Sequence, residues 1–145
     1  MEAGIAPYTI DPNLSLTAVA RSTAMQENRV VNHERRKGDG YYNYTRIQNR
    51  FAAQGVIFKI VNRATFSESL GYGYYKCTQD ECTDELIKAI KTTRDFFMKE
   101  KDTKGLHYKA LMHPYFQTMG LGVTIDETTK KYYLTVHYAA SVVKR

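Results

Sequence analysis

The last third of the chain constrains the fold most. MGLGVTI (119–125) and KYYLTVHYA (131–139) both alternate in the manner of strands, and DETTK between them is a plausible turn, so the sequence predicts an antiparallel hairpin. Helices dominate the region before it. Asp11-Pro12-Asn13 is a start signal, and Leu16, Val19, Ala20, Thr23 and Ala24 recur at helical spacing up to about Glu27, with Asn28 as a stop. Gly38-Asp39-Gly40 marks a loop. A second helix is expected from Tyr42 or Asn43 to Gln54, with Gly55 as a left-handed cap. Val56 to Val61 reads as a strand, and Ala64 to Tyr72 as a second extended piece. The third helix starts at a capping Thr83, carries Leu86, Ile90, Thr93 and Phe97 on one face, and ends near Lys99 to Asp102. This order argues an α+β or α-β-α layered domain.

At 145 residues the chain is one domain by its length. No run approaches the length of a membrane span. MEAGIAPYTI lacks the features of a signal peptide, which fits a cytosolic protein or a mature fragment behind an added Met1. The net charge of +6 invites a nucleic-acid reading, but His33-Glu34-Arg35-Arg36-Lys37 is the one dense basic run. Specific nucleic-acid binding therefore ranks last. Twelve tyrosines and no tryptophan suit wet pockets or, for most of them, strand faces. Cys77 and Cys82 bracket TQDE; that spacing can close a disulfide loop, and it equally suits two free thiols.

Four ionisable residues stand where a solvated charge is not the obvious explanation. His33 follows the first helix, Glu68 lies within the apolar FSESLGYG, Glu100 closes the third helix, and His107 follows one loop later. Two imidazoles and two carboxylates are a competent set for a divalent metal such as zinc, or for acid/base work. His113 and His137 are assigned as a loop residue and a strand-face residue.

The succession Asn32-His33, Glu68-Ser69-Leu70, Glu100, and Gly105-Leu106-His107-Tyr108, followed by KALMHPYFQTMGLGV, resembles the CAP or SCP superfamily of cysteine-rich secretory proteins, antigen-5 allergens and pathogenesis-related proteins. The likeness covers roughly Tyr8 to Tyr138. It implies a CAP-type α-β-α sandwich, with three main helices around a small, mostly antiparallel sheet, as a single domain over 1–145. It also implies a cavity tetrad of His33, Glu68, Glu100 and His107. In relatives the two histidines can hold zinc or another divalent metal, while the glutamates fix the imidazole tautomers. ESL replaces the usual EN[IL], and HYKA replaces the eukaryotic HYTQ, which favours a bacterial-type domain. The family's additional first helix has no counterpart before Ala6, so a shortened N-terminus is expected.

The resemblance implies work outside the cell or on its surface, from a precursor whose leader is absent here. Two function classes follow from it. The first is a secreted or surface-exposed interaction module whose groove takes a lipid, an envelope or host ligand, or a protein partner. The second is a metal-dependent, protease-like hydrolase in which Glu68 or Glu100 acts as base; no GxSxG-type nucleophile is present.

Overall fold

The computed structural model describes residues 6–39, 42–58, 60–140 and 143–144, the last two as backbone only. In chain order the elements are β1 (Thr9–Ile10), α1 (Pro12–Asn28), α2 (Tyr44–Ala53), β2 (Val56–Ile57), β3 (Phe66–Tyr74), α3 (Thr83–Lys99), α4 (Leu106–Leu111), β4 (Thr118–Asp126), β5 (Lys131–Ala139) and β6 (Val143–Lys144). The main sheet runs β1-β4-β5-β3; β1 joins β4 in parallel and the other pairs are antiparallel. A small β2–β6 pair stands apart.

The predicted hairpin forms as β4 and β5, with Asp126 paired to Lys131 and Lys130 in the left-handed region of the turn. Its two faces bury different partners. Gly120, Gly122, Thr135 and His137 share one face and turn toward α1. A Cβ at Gly120 would run into the Leu14 carbonyl, and one at Gly122 into the backbone of Ala18 and Val19. The GLG run therefore lets α1 lie directly on the sheet. Ser22 Oγ fixes the contact by donating to the Gly122 carbonyl at 2.9 Å. On the opposite face Tyr132, Leu134, Val136 and Tyr138 pack against Leu86, Ala89 and Ile90 of α3. With α1 and α2 on one side and α3 on the other, the domain is a helix–sheet–helix sandwich of the α+β class.

Local signals account for most boundaries. Asp11 caps α1 through Oδ1, which accepts from the Leu14 N–H at 2.8 Å, and Pro12 occupies the first turn, where its missing N–H costs nothing. Asn43 caps α2 in the same way, and Gly55 has φ +77°. Three expectations need correction. The strand expected over 56–61 is only Val56–Ile57, because the small β6 offers a partner of just two residues; Lys59 lies outside the described residues, as does Gly40 of the loop. The second extended piece runs from Phe66 to Tyr74, two residues further than expected, because β5 offers partners as far as Lys131. Thr83 is the first helical residue of α3 rather than its cap; that position belongs to Cys82, and the Glu81 carboxylate accepts from the Thr83 N–H instead. Cys82 is disulfide-bonded to Cys77, with the two Cα atoms 5.7 Å apart. After Gly105, Leu106–Leu111 forms the additional short helix α4.

Candidate functional site

Glu68 sits on β3, the edge strand of the sheet, on the face turned toward α1, and is 4% exposed. Its carboxylate accepts four hydrogen bonds. Oε1 takes His33 Nδ1 at 2.9 Å and Arg35 Nη1 at 2.9 Å; Oε2 takes His137 Nε2 at 2.7 Å and a close contact from Arg35 Nη2. Burial alone would raise its pKa, but the Arg35 charge and the histidine hydrogen bonds outweigh that and hold Glu68 well below the ordinary carboxylate range. Arg35 meets the carboxylate as a two-pronged fork, the strongest arrangement for such a pair.

His137, placed opposite Glu68 on β5, is fully buried between that carboxylate and Thr17 of α1. Burial lowers its pKa, against the pull of Glu68. A neutral ring that donates Nε2–H to Glu68 must accept at Nδ1. The Thr17 hydroxyl, 2.8 Å away, has its proton for that bond, although the Leu14 carbonyl also lies within reach. The residue read as a simple strand-face histidine thus ties α1 to Glu68.

The second imidazole is held by the same logic. Glu100 is the last-turn cap of α3, and its Oε1 accepts from His107 Nδ1 at 2.9 Å. Oε2 accepts from the backbone N–H groups of His107 at 3.0 Å and Tyr108 at 3.4 Å, at the start of α4. These hydrogen bonds lower the Glu100 pKa, overcoming the desolvation that would raise it. Gly105 is needed at the bend because a Cβ there would strike the Glu100 carboxylate. Phe97 stacks flat on the His107 ring, with centroids 4.4 Å apart. One carboxylate therefore caps a helix and orients an imidazole.

His33 and His107 line one cavity of about 790 Å³ beside β3, and Glu68 contributes to its floor. Tyr42, Tyr44, Phe66 and Phe116 supply an aromatic wall; Arg63 and Lys109 bring positive charge, and His113 joins from the loop after α4. Tyr42 and Tyr44 stack nearly parallel, and Tyr42 lies 5.2 Å from the His33 ring. Glu100 stands behind His107 rather than on the cavity surface. The tetrad is thus two carboxylate–imidazole pairs facing one space.

The fit to a metal follows from what each donor is doing. All four acceptor positions of Glu68 are engaged, and Glu100 is divided between an imidazole and two amides. Among the described residues no group of three or more His, Cys, Asp or Glu side chains is arranged to hold a metal ion. A four-ligand centre built from the whole tetrad does not fit this arrangement. The two imidazoles are the other donors of the set, each with Nδ1 engaged by a carboxylate. Sequence reasoning missed Arg35, His137 and Thr17. Arg35 stood inside the basic run HERRK, where nothing distinguished it from its neighbours.

Comparison with known proteins agrees with this architecture. An outer surface protein from Borrelia burgdorferi superposes with a TM-score of 0.60 over 97% of this chain and 80% of that one, at 12% identity, a likeness of fold. No curated protein matches the sequence. The family model for the cysteine-rich secretory protein family, CAP, matches residues 2–138. With helical layers on both faces of the sheet and a match over nearly its whole length, the chain belongs to the CAP family.

Proposed function

We propose that this CAP domain is an interaction module of the cell surface or extracellular space, and that its cavity receives an amphiphile with an acidic head, such as an envelope lipid. The cavity lining carries the reading: aromatic rings together with Arg63, Lys109 and two oriented imidazoles. Apolar stacking and a few placed charges suit a ligand that is greasy at one end and anionic at the other. The Cys77–Cys82 disulfide suits an oxidising compartment. Among the described residues no helix is long and apolar enough to cross a membrane. The outer-surface relative supports the same location.

The test is co-sedimentation with phosphatidylglycerol vesicles and with phosphatidylcholine vesicles. Binding is expected to the first alone, and Arg63→Ala with Lys109→Ala should weaken it about tenfold. Equal binding by that double variant would refute the cavity as the receiving site. Surface location is read separately, by labelling intact cells with a membrane-impermeant reagent.

A divalent cation is the second ligand supported, because carboxylates fix both Nδ1 atoms as they do for metal-bound histidines. His33 and His107 would hold it; a cation so bound would polarise water or an anionic head group. Zinc calorimetry on wild type and on His33→Ala with His107→Ala checks this, with binding expected only in wild type. A hydrolytic role is less supported. It would require a carboxylate free to act as base, and Glu68 is locked by Arg35.

A further inference from the structure

Three arginines from different elements converge away from the histidine cavity. Arg21 comes from α1, Arg35 from the following loop and Arg50 from α2, and all three line a space of about 260 Å³ between the two helices. Thr17, Gln54 and Phe51 complete much of its wall, and no acidic side chain is among the described residues lining it. A neighbouring depression shares Arg21 and Arg35 and adds Arg36 and Lys37, with Glu34 as its acidic residue.

The hydrogen bonding of Arg21 is incomplete. The side chain is 8% exposed, so it is more than nine-tenths buried. Its Nη2 donates to the Asn32 backbone carbonyl and, at 3.3 Å, to the Asn32 side chain. Its Nε is buried with no hydrogen-bond partner among the described residues. No carboxylate among the described residues pairs with Arg21 either; Glu68, the nearby acid, is already shared by Arg35 and two histidines. Arg50 donates to the Arg35 backbone carbonyl, a neutral partner. Burial lowers the Arg21 pKa; Glu68 opposes this, and Arg35 and Arg50 lower it further. A buried cation crowded by like charges and short of one acceptor is costly, and an anion relieves both defects.

We propose that the Arg21–Arg35–Arg50 space is a binding site for a tetrahedral oxyanion, the phosphate or sulfate group of a larger acidic ligand. Guanidinium N–H groups match such oxygens; Arg21 and Arg50 would supply them, while Arg35, whose fork is taken by Glu68, contributes to the wall, and the volume is several times the ~30 Å³ of a water molecule. Arg35 connects the two sites, since the same side chain holds Glu68 under the histidine cavity.

The experiment follows the arginine Nε–H signals by ¹H–¹⁵N NMR. Inorganic phosphate, sulfate and chloride are titrated at matched ionic strength, so that general screening is common to all three. The site predicts a saturable shift of the Arg21 Nε–H signal with phosphate or sulfate and none with chloride. The tighter of the two identifies the ester that the natural ligand carries. Arg50 is exposed, so Arg50→Gln should keep the fold while weakening the anion about tenfold. Shifts that follow ionic strength alike for all three salts would overturn the proposal. So would a saturable shift that Arg50→Gln leaves unchanged.

Discussion

Glu68 holds together His33, Arg35 and His137, and its loss should be felt by all three. Glu68→Gln leaves the Arg35 guanidinium buried without its counter-charge, which costs about 3–5 kcal/mol and should appear as a matching fall in unfolding free energy in urea. Glu100→Ala is milder. It removes the acceptor for two amides of α4, about 1 kcal/mol for a lost cap, and it frees the His107 ring, so the downfield Nδ1–H resonance should disappear. His33, Glu68, Glu100 and His107 were legible because short motifs fell in order along the chain. Arg35, Thr17 and His137 were not, because what makes them matter is pairing across 33, 120 and 69 residues of sequence. A guanidinium in a basic run and an imidazole in a strand look the same whether they are solvated or enclosed.

Among the elements, the contact of α1 with β4 is the least tolerant of added volume. Gly122→Ala would press a methyl group into helix backbone, where no rotamer can move aside, and should cost about 1–3 kcal/mol. Leu121→Ala, at an exposed position on the other face of the same strand, should change the thermal midpoint little. At the start of α3 the disulfide closes a loop with a sequence separation of 5, and reducing it should cost about 2 kcal/mol on the chain-entropy estimate. The long elements were readable from periodicity and caps, as Asp11, Asn43 and the DETTK turn show. The six-residue α4 was not, since so short a segment displays no period and its N-terminus is capped by Glu100 from another helix. Likewise β2 stopped early because strand length depends on a partner, which local propensity does not report.

For the molecule as a whole, the buried network makes stability fall with acid. Glu68 and His137 both have pKa values lowered by folding, so the unfolded chain binds more protons and stability rises with pH across each interval. The His137 contribution is complete above its ordinary 6.5 and fades as pH drops below that value. That of Glu68 is complete above 4.5 and is lost as pH falls through its depressed native value. Urea midpoints followed from about pH 8 to about pH 3 should decline in these two intervals, with the lower decline reduced in Glu68→Gln. The layered α+β architecture was legible in the sequence, because helix and strand periods alternate in an order that few layer arrangements accept. The glycines of β4 carry one more consequence, for the order in which the domain can be made. The helix they receive is synthesised some 100 residues before the strand that receives it. Their hydrogen bonds span 100 residues or more, as for Ser22 with Gly122 and Thr17 with His137. A growing chain therefore cannot lock α1 in place, and the buried acid at Glu68 has no complete set of partners until β5 is synthesised. Assembly should wait until β4 and β5 have emerged, at the slower rates typical of long-range topologies.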